Sequence, residues 1–268
     1  MSNLQYDTVI FDLDGTLLDT LEDLADAVNH ALEKASLPVI SLDNVRQYVG
    51  NGVRNLMMRS VYGPEFTRRF TDVSRLREED ILYSKSGIRY ITSADGTHFI
   101  LPVSGDKFEA ILKEFRKYYN AHSMRKTRPY EGIPEVLQEL SGRGCAMAVV
   151  SNKFDEAVKN LCRHYFPDIS IAIGMQDGLH KKPAPDMVMK AFALLGSRCT
   201  RPLYVGDSEV DIATALNSGV DGVTCLWGFR EEAYLKKKGA TCFIQKPEEI
   251  LRVVEKGLEG FQHREKGV

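Results

Sequence analysis

Two carboxylates two residues apart, Asp12 and Asp14, follow the short apolar run Thr8-Val9-Ile10-Phe11 and lead into Gly15-Thr16. Three further groups repeat this arrangement: Ser151-Asn152 after Ala146–Val150, Lys182-Pro183 ahead of a helical pattern, and Gly206-Asp207-Ser208-Glu209-Val210-Asp211 after Leu203-Tyr204-Val205. The set suits phosphoryl transfer. A carboxylate approaching a phosphate dianion meets repulsion of about 4 kcal/mol per pair of unit charges at 4 Å and an effective dielectric near 20. Asp12 and Asp207 offer oxygen ligands that suit Mg²⁺, and Lys182 adds the remaining positive charge. The Ser151 hydroxyl and neighbouring backbone N–H groups can then take phosphoryl oxygens, with one aspartate as nucleophile and another as proton carrier. Singly, each motif has a plainer reading as a turn, a helix N-cap or a helix entry. Their joint order is what argues for chemistry. An EF-hand loop fails, because Leu17 stands where its glycine belongs.

The elements that must position these residues are legible as alternating patterns. Apolar runs at 8–11, 146–150, 169–173, 203–205, 222–226 and 242–244 read as buried strands, and helical spacing at 134–140, 154–162, 185–195 and 211–217 falls between them. Strand and helix alternate as in a parallel sheet covered on both faces, an α/β doubly wound core. Ligands bind such sheets at the carboxyl ends of the strands, where all four motifs lie.

The alternation breaks between about Asp19 and Arg128. There Leu21, Leu24, Ala25, Val28, Ala31 and Leu32 share one helix face, Asp23 and Asp26 are expected on the solvated face, and Ala110–Tyr119 repeats the pattern. We expect a discontinuous core, residues 1–18 and 129–268, carrying an inserted mainly helical cap at 19–128. Within it, Ile88, Tyr90 and Thr92 alternate up to Asp95-Gly96, and Phe99, Leu101 and Val103 alternate after it, which predicts a β-hairpin.

Composition excludes other classes. The 268 residues carry 35 Lys plus Arg against 37 Asp plus Glu, so no basic surface invites nucleic acid. The longest apolar run, Cys145–Val150, is far too short for a membrane span, and the start of the chain lacks a signal-peptide pattern, so a cytoplasmic location is expected. Cysteines 145, 162, 199, 225 and 242 form no C-x-x-C pair, and the six histidines show no metal-binding spacing.

On these residues the chain resembles phosphatases of the haloacid dehalogenase superfamily with a helical cap, and more narrowly bacterial phosphoglycolate phosphatases. The likeness rests on Asp12-x-Asp14-Gly15-Thr16, Ser151-Asn152-Lys153, Lys182-Pro183 and Gly206-Asp207-Ser208-x-x-Asp211. It implies Asp12 as nucleophile and Asp14 as general acid and base. It implies Mg²⁺ held by Asp12, the Asp14 carbonyl and Asp207 with Asp211 in support, and the transferring group held by Ser151 and Lys182, with Thr16 and Asn152 on the substrate. Tyr48-Val49-Gly50-Asn51-Gly52-Val53-Arg54 resembles the cap's specificity loop, where Gly50, Asn51 and Gly52 allow close approach and Arg54 pairs with a substrate carboxylate. Trp227-Gly228-Phe229-Arg230 also resembles that branch, although a buried tryptophan beside a turn glycine explains it better, since aromatics usually serve packing. The substrate implied is a small phosphorylated metabolite, with 2-phosphoglycolate foremost, for a monomer or homodimer. Sugar phosphatases and phosphomutases share the core motifs, and phospho-acceptor signalling domains share the strand-end Asp, Ser and Lys; a signalling domain needs neither a cap nor Asp14. The segment 71–107 departs from the compact helical cap of that branch.

Overall fold

The computed structural model describes residues 4–70, 81–84 and 88–265. The chain divides into two compact units, one of residues 1–20 and 126–268, the other of residues 21–125.

The first unit is built on six parallel strands: β1 (Thr8–Phe11), β7 (Ala146–Phe154), β8 (Ile171–Met175), β9 (Pro202–Gly206), β10 (Asp221–Cys225) and β11 (Phe243–Ile244). Their spatial order is β11-β10-β9-β1-β7-β8. Period-two alternation sends Val9 and Phe11 to one face, where they pack with Ile133 and Leu137 of α6 (Ile133–Gly142), Leu161 of α7 (Asp155–Tyr165) and Val253 of α11 (Glu249–Glu265). Ile10 points to the other face, among Met187 and Ala191 of α8 (Asp186–Leu195) and Ala215 of α9 (Glu209–Ser218). A short α10 (Glu232–Lys237) lies between β10 and β11 in the chain. Helices thus cover both faces, as the near-continuous apolar strands require. The chain builds β1, β7 and β8 outward, then returns to the opposite side of β1 for β9, so the order reverses between β1 and β9.

A two-stranded antiparallel ribbon, β2 (Leu18–Asp19) with β6 (Arg128–Pro129), ties the outgoing chain to its return. Strand β7 runs past the predicted end at Val150 to Phe154, with an irregular register against β8. Ser151 and Asn152 are therefore strand residues and not a helix cap.

The second unit holds α1 (Leu21–Lys34), α2 (Leu42–Tyr48), α3 (Val53–Tyr62), α4 (Pro64–Arg69) and α5 (Gly105–His122) with a three-stranded antiparallel sheet of β3 (Leu82–Tyr83), β4 (Arg89–Thr92) and β5 (His98–Ile100). The hairpin β4–β5 pairs Tyr90 with Ile100 and Thr92 with His98. Gly96 takes a positive φ of 83° in its turn, and the Asp95 carboxylate accepts the Thr97 N–H at 3.1 Å. Phe99 lies against Phe66 and Phe70. The rest of the 71–107 expectation, at 71–80 and 85–87, falls outside the described residues.

One expectation for α1 is corrected. Asp23 is 3% exposed, not solvated. It sits in the first helical turn, where unsatisfied N–H groups and the helix dipole accommodate a carboxylate.

Candidate active site

The order reversal between β1 and β9 brings Asp12 and Asp207, each one residue beyond its strand, side by side. One carboxylate oxygen each of Asp12, Asp207 and Asp211 lie within 4.8 Å of one another, all three residues buried. Asp211 joins from the first turn of α9, and its Oδ2 accepts the Ser208 N–H at 3.1 Å and hydroxyl at 2.5 Å.

Lys182, 2% exposed, reaches this cluster from the segment between β8 and α8, with Nζ 2.7 Å from Asp12 Oδ1 and 2.8 Å from Asp211 Oδ1. Burial alone would lower its ammonium, but the charges of Asp12 and Asp211 raise it well above the usual lysine range. Burial, then the Asp211 charge, pushes the Asp12 carboxyl well up, while Lys182 works in the opposite direction. Asp207 is pushed up to about 7 by burial and by Asp211. Asp211 itself is held low against its burial by the Lys182 charge and hydrogen bonds from Lys182, Ser208 and Tyr204. With all three carboxylates ionised, the one ammonium would leave two negative charges in excess, which a divalent cation with oxygen ligands would balance.

Asp14 leaves this cluster. Its carboxylate is gripped by Lys153 Nζ at 2.7 and 3.0 Å and by the Thr20 hydroxyl at 2.7 Å. Lys153 is 4% exposed; in the sequence it belongs to a motif but has no task. A signal for it exists, since a lysine inside a buried strand requires a carboxylate partner. Tyr204, in the apolar run of β9, escapes the sequence reading for a similar reason; its hydroxyl lies 2.9 Å from Asp211 Oδ1 and 3.1 Å from Lys182 Nζ.

Two residues expected on the substrate are placed elsewhere. Thr16 is fully buried, and its hydroxyl donates to Asp207 Oδ1 at 3.2 Å, so it orients a carboxylate. Asn152 bonds the Lys182 backbone at both ends of its amide, accepting from N at 2.8 Å and donating to O at 3.0 Å, which clamps the Lys182 segment to β7. Ser151 is 2% exposed on β7, and its Oγ accepts the Lys153 N–H at 3.3 Å.

The loop after β10 closes the other side. Phe229 N–H donates to Asp207 Oδ2 at 2.8 Å and Trp227 Nε1 to the Thr16 carbonyl at 3.0 Å, so the half-buried tryptophan fastens the turn that follows Asp14. Backbone approach here is close enough to demand glycine. A Cβ on Gly15, which has a φ of 88°, would meet Asp207 Oδ2 at 2.4 Å, and one on Gly228 would meet Asp207 Cβ at 2.3 Å and the Gly15 carbonyl at 2.5 Å. Gly228→Ala is therefore expected to destabilise the protein by about 1–3 kcal/mol in urea unfolding; wild-type stability would contradict the packing described.

The remaining expected residues belong to the helical unit. Gly50 and Gly52 adopt positive φ of 110° and 85° in the connection between α2 and α3, and Gly52 precedes the first turn of α3. The Asn51 carbonyl accepts the Asn55 amide at 3.0 Å. Arg54 is in use within its own unit: Nη2 lies 2.6 Å from Glu109 Oε1 and the guanidinium covers the Phe108 ring at 5.3 Å.

A buried acid cluster with its own lysine lies at the order reversal of a doubly wound α/β sheet, the place where such sheets bind their ligands. The family model for haloacid dehalogenase-like hydrolases matches residues 9–225, and the chain belongs to that family. It is 27% identical to a phosphoglycolate phosphatase of Aquifex aeolicus over 94% of this chain and 99% of the relative. It is 30% identical to a phosphoglycolate phosphatase of Caulobacter vibrioides over 84% of this chain and 81% of the relative. Among solved structures, a Lactobacillus delbrueckii protein provisionally described as a phosphoglycolate phosphatase superposes with a TM-score of 0.75 at 32% identity, covering 95% of this chain and 99% of that one. Among the described residues no helix is long and apolar enough to cross a membrane.

Proposed function

We propose that the protein is a Mg²⁺-dependent phosphomonoesterase acting on a small phosphorylated metabolite, with 2-phosphoglycolate as its substrate, through an aspartyl phosphate on Asp12. The observation that carries this reading is the buried Asp12, Asp207 and Asp211 cluster with Lys182 on Asp12. The names of the relatives support the substrate class.

In this reading Asp12, Asp207 and the Asp14 carbonyl hold the cation, and Asp211 supports it. The bound cation would offset the repulsion between Asp12 and the incoming phosphate. Lys182 fixes one oxygen of Asp12, and the other attacks phosphorus while the leaving oxygen departs in line. Asp14 delivers a proton to that oxygen and then removes one from the water that cleaves the acyl phosphate, returning Asp12 and releasing inorganic phosphate. Ser151 and nearby backbone N–H groups receive the phosphoryl oxygens. Arg54 serves a substrate carboxylate by sharing or exchanging its bond to Glu109.

The test is phosphate release from a panel containing 2-phosphoglycolate, sugar phosphates and pyrophosphate, with and without Mg²⁺. A strong Mg²⁺-dependent preference for 2-phosphoglycolate is expected. Preference for a sugar phosphate would overturn the substrate, and no release from any ester would overturn the function.

Two further results are expected. Saturating Mg²⁺ raises the thermal midpoint of the wild type and raises it far less in Asp207→Asn, because binding to the native state alone stabilises it; equal shifts would remove Asp207 from the cation site. Lys153→Met slows hydrolysis of alkyl phosphates about a hundredfold, but spares aryl phosphates whose leaving group needs no proton. Equal losses on both substrates would separate Lys153 from proton transfer by Asp14.

A further inference from the structure

An ammonium has three N–H bonds, and Lys182 has three acceptors inside the chain: Asp12 Oδ1 at 2.7 Å, Asp211 Oδ1 at 2.8 Å and the Tyr204 hydroxyl at 3.1 Å. Two of these are carboxylates that the charge cluster itself explains. The third is a neutral phenol on β9, 1% exposed, on the sheet face that packs against α8 and α9. Having accepted from Lys182, Tyr204 turns its one proton to Asp211 Oδ1 at 2.9 Å, so lysine, phenol and carboxylate close a ring of three hydrogen bonds.

The ring has a geometric consequence. With only Asp12 and Asp211 as acceptors, a lysine Nζ at the end of four rotatable bonds can slide and rotate between two carboxylates. A third acceptor, itself bonded to Asp211, restricts both its place and the direction of its N–H bonds. We propose that Tyr204 is a positioning residue for the phosphatase reaction, holding the Lys182 ammonium on Asp12 so that one Asp12 oxygen is neutralised and the other is presented for attack. This rests on the function proposed above. It assigns a task to a residue that a core aromatic could otherwise fill by packing alone, since phenylalanine has nearly the same shape.

That similarity in shape makes the test clean. In Tyr204→Phe, kcat is expected to fall about tenfold with KM within about twofold of wild type, as a hydrogen bond to a charged group is lost while the substrate contacts remain. The thermal midpoint should fall only modestly, because phenyl keeps the core volume and what is lost is the pair of buried hydrogen bonds to Lys182 and Asp211. A second readout is independent of activity. In protein labelled with ¹⁵N-lysine, the buried ammonium groups of Lys182 and Lys153 should exchange slowly enough to be observed, and they are told apart by Lys153→Met. Tyr204→Phe is expected to shift or broaden the Lys182 ammonium signal and to leave that of Lys153 in place.

An unchanged kcat overturns the proposal, as does a lowered kcat with an unperturbed Lys182 signal, or kcat and KM that worsen together with a large drop in thermal midpoint, the mark of a packing role. If the wild type releases no phosphate from any ester, the functional reading fails, and the ammonium signal still decides whether Tyr204 positions Lys182.

Discussion

Asp12→Asn is expected to lower phosphate release from the best ester by about a thousandfold or more, because removing a covalent nucleophile takes away a bond-forming group and not a binding contact. The amide keeps the shape of the carboxylate, and the site around it is close-packed, so the variant should fold. Its stability carries a second expectation. The Asp12 carboxyl is raised by burial and by the neighbouring carboxylates, so at neutral pH its ionised form weakens the metal-free native state. The amide removes that charge, and the metal-free variant should melt at or above the wild-type temperature, with a smaller gain from Mg²⁺. The measurement is a pair of assays on one preparation, phosphate release and thermal unfolding with and without Mg²⁺. A folded Asp12→Asn protein with near wild-type turnover would place the nucleophile elsewhere.

How much of this is visible in the sequence depends on the kind of signal. Strands β1, β9 and β10 are apolar runs with clear ends, and the ends of β1 and β9 carry Asp12 and Asp207; position on the sheet follows from strand order, so the meeting of these two residues is legible. The hairpin is legible because Asp95-Gly96 and the alternation on both sides agree. The end of β7 is not, since Ser151, Asn152 and Lys153 are polar and read as a cap, while in the fold their polar atoms are satisfied by Asp14, the Lys182 backbone and each other. Thr16 and Asn152 show the same limit. A motif gives residue types and order, but whether a hydroxyl or an amide faces a ligand or a neighbouring backbone is decided by packing at the level of a single rotamer. Arg54 is the clearest case: the sequence marks a cation after a glycine loop, and only the fold shows Glu109 already beside it, on another helix of the same unit.

Lys182→Met is expected to destabilise the protein by about 3–5 kcal/mol near pH 8, because it removes the cation paired with Asp12 and Asp211 and leaves buried charge uncompensated. The loss should depend on pH with a definite sign. Asp207, at about 7, and Asp12, pushed well up, already bind protons more tightly in the native state than ordinary carboxylates do, and removing the ammonium raises them further. Groups with raised native values support the fold while protonated, and that support is lost as pH rises through the native value. The variant should therefore lie closest to wild type near pH 5 and fall away steadily toward pH 8. Saturating Mg²⁺ should recover part of the difference at pH 8, since a dication substitutes for the missing charge but not for the three directed hydrogen bonds of the ammonium. Urea unfolding of both proteins at pH 5 and pH 8, with and without Mg²⁺, separates these contributions. An equal loss at both pH values would mean that Lys182 acts by filling space, and the charge balance drawn for the site would then be wrong.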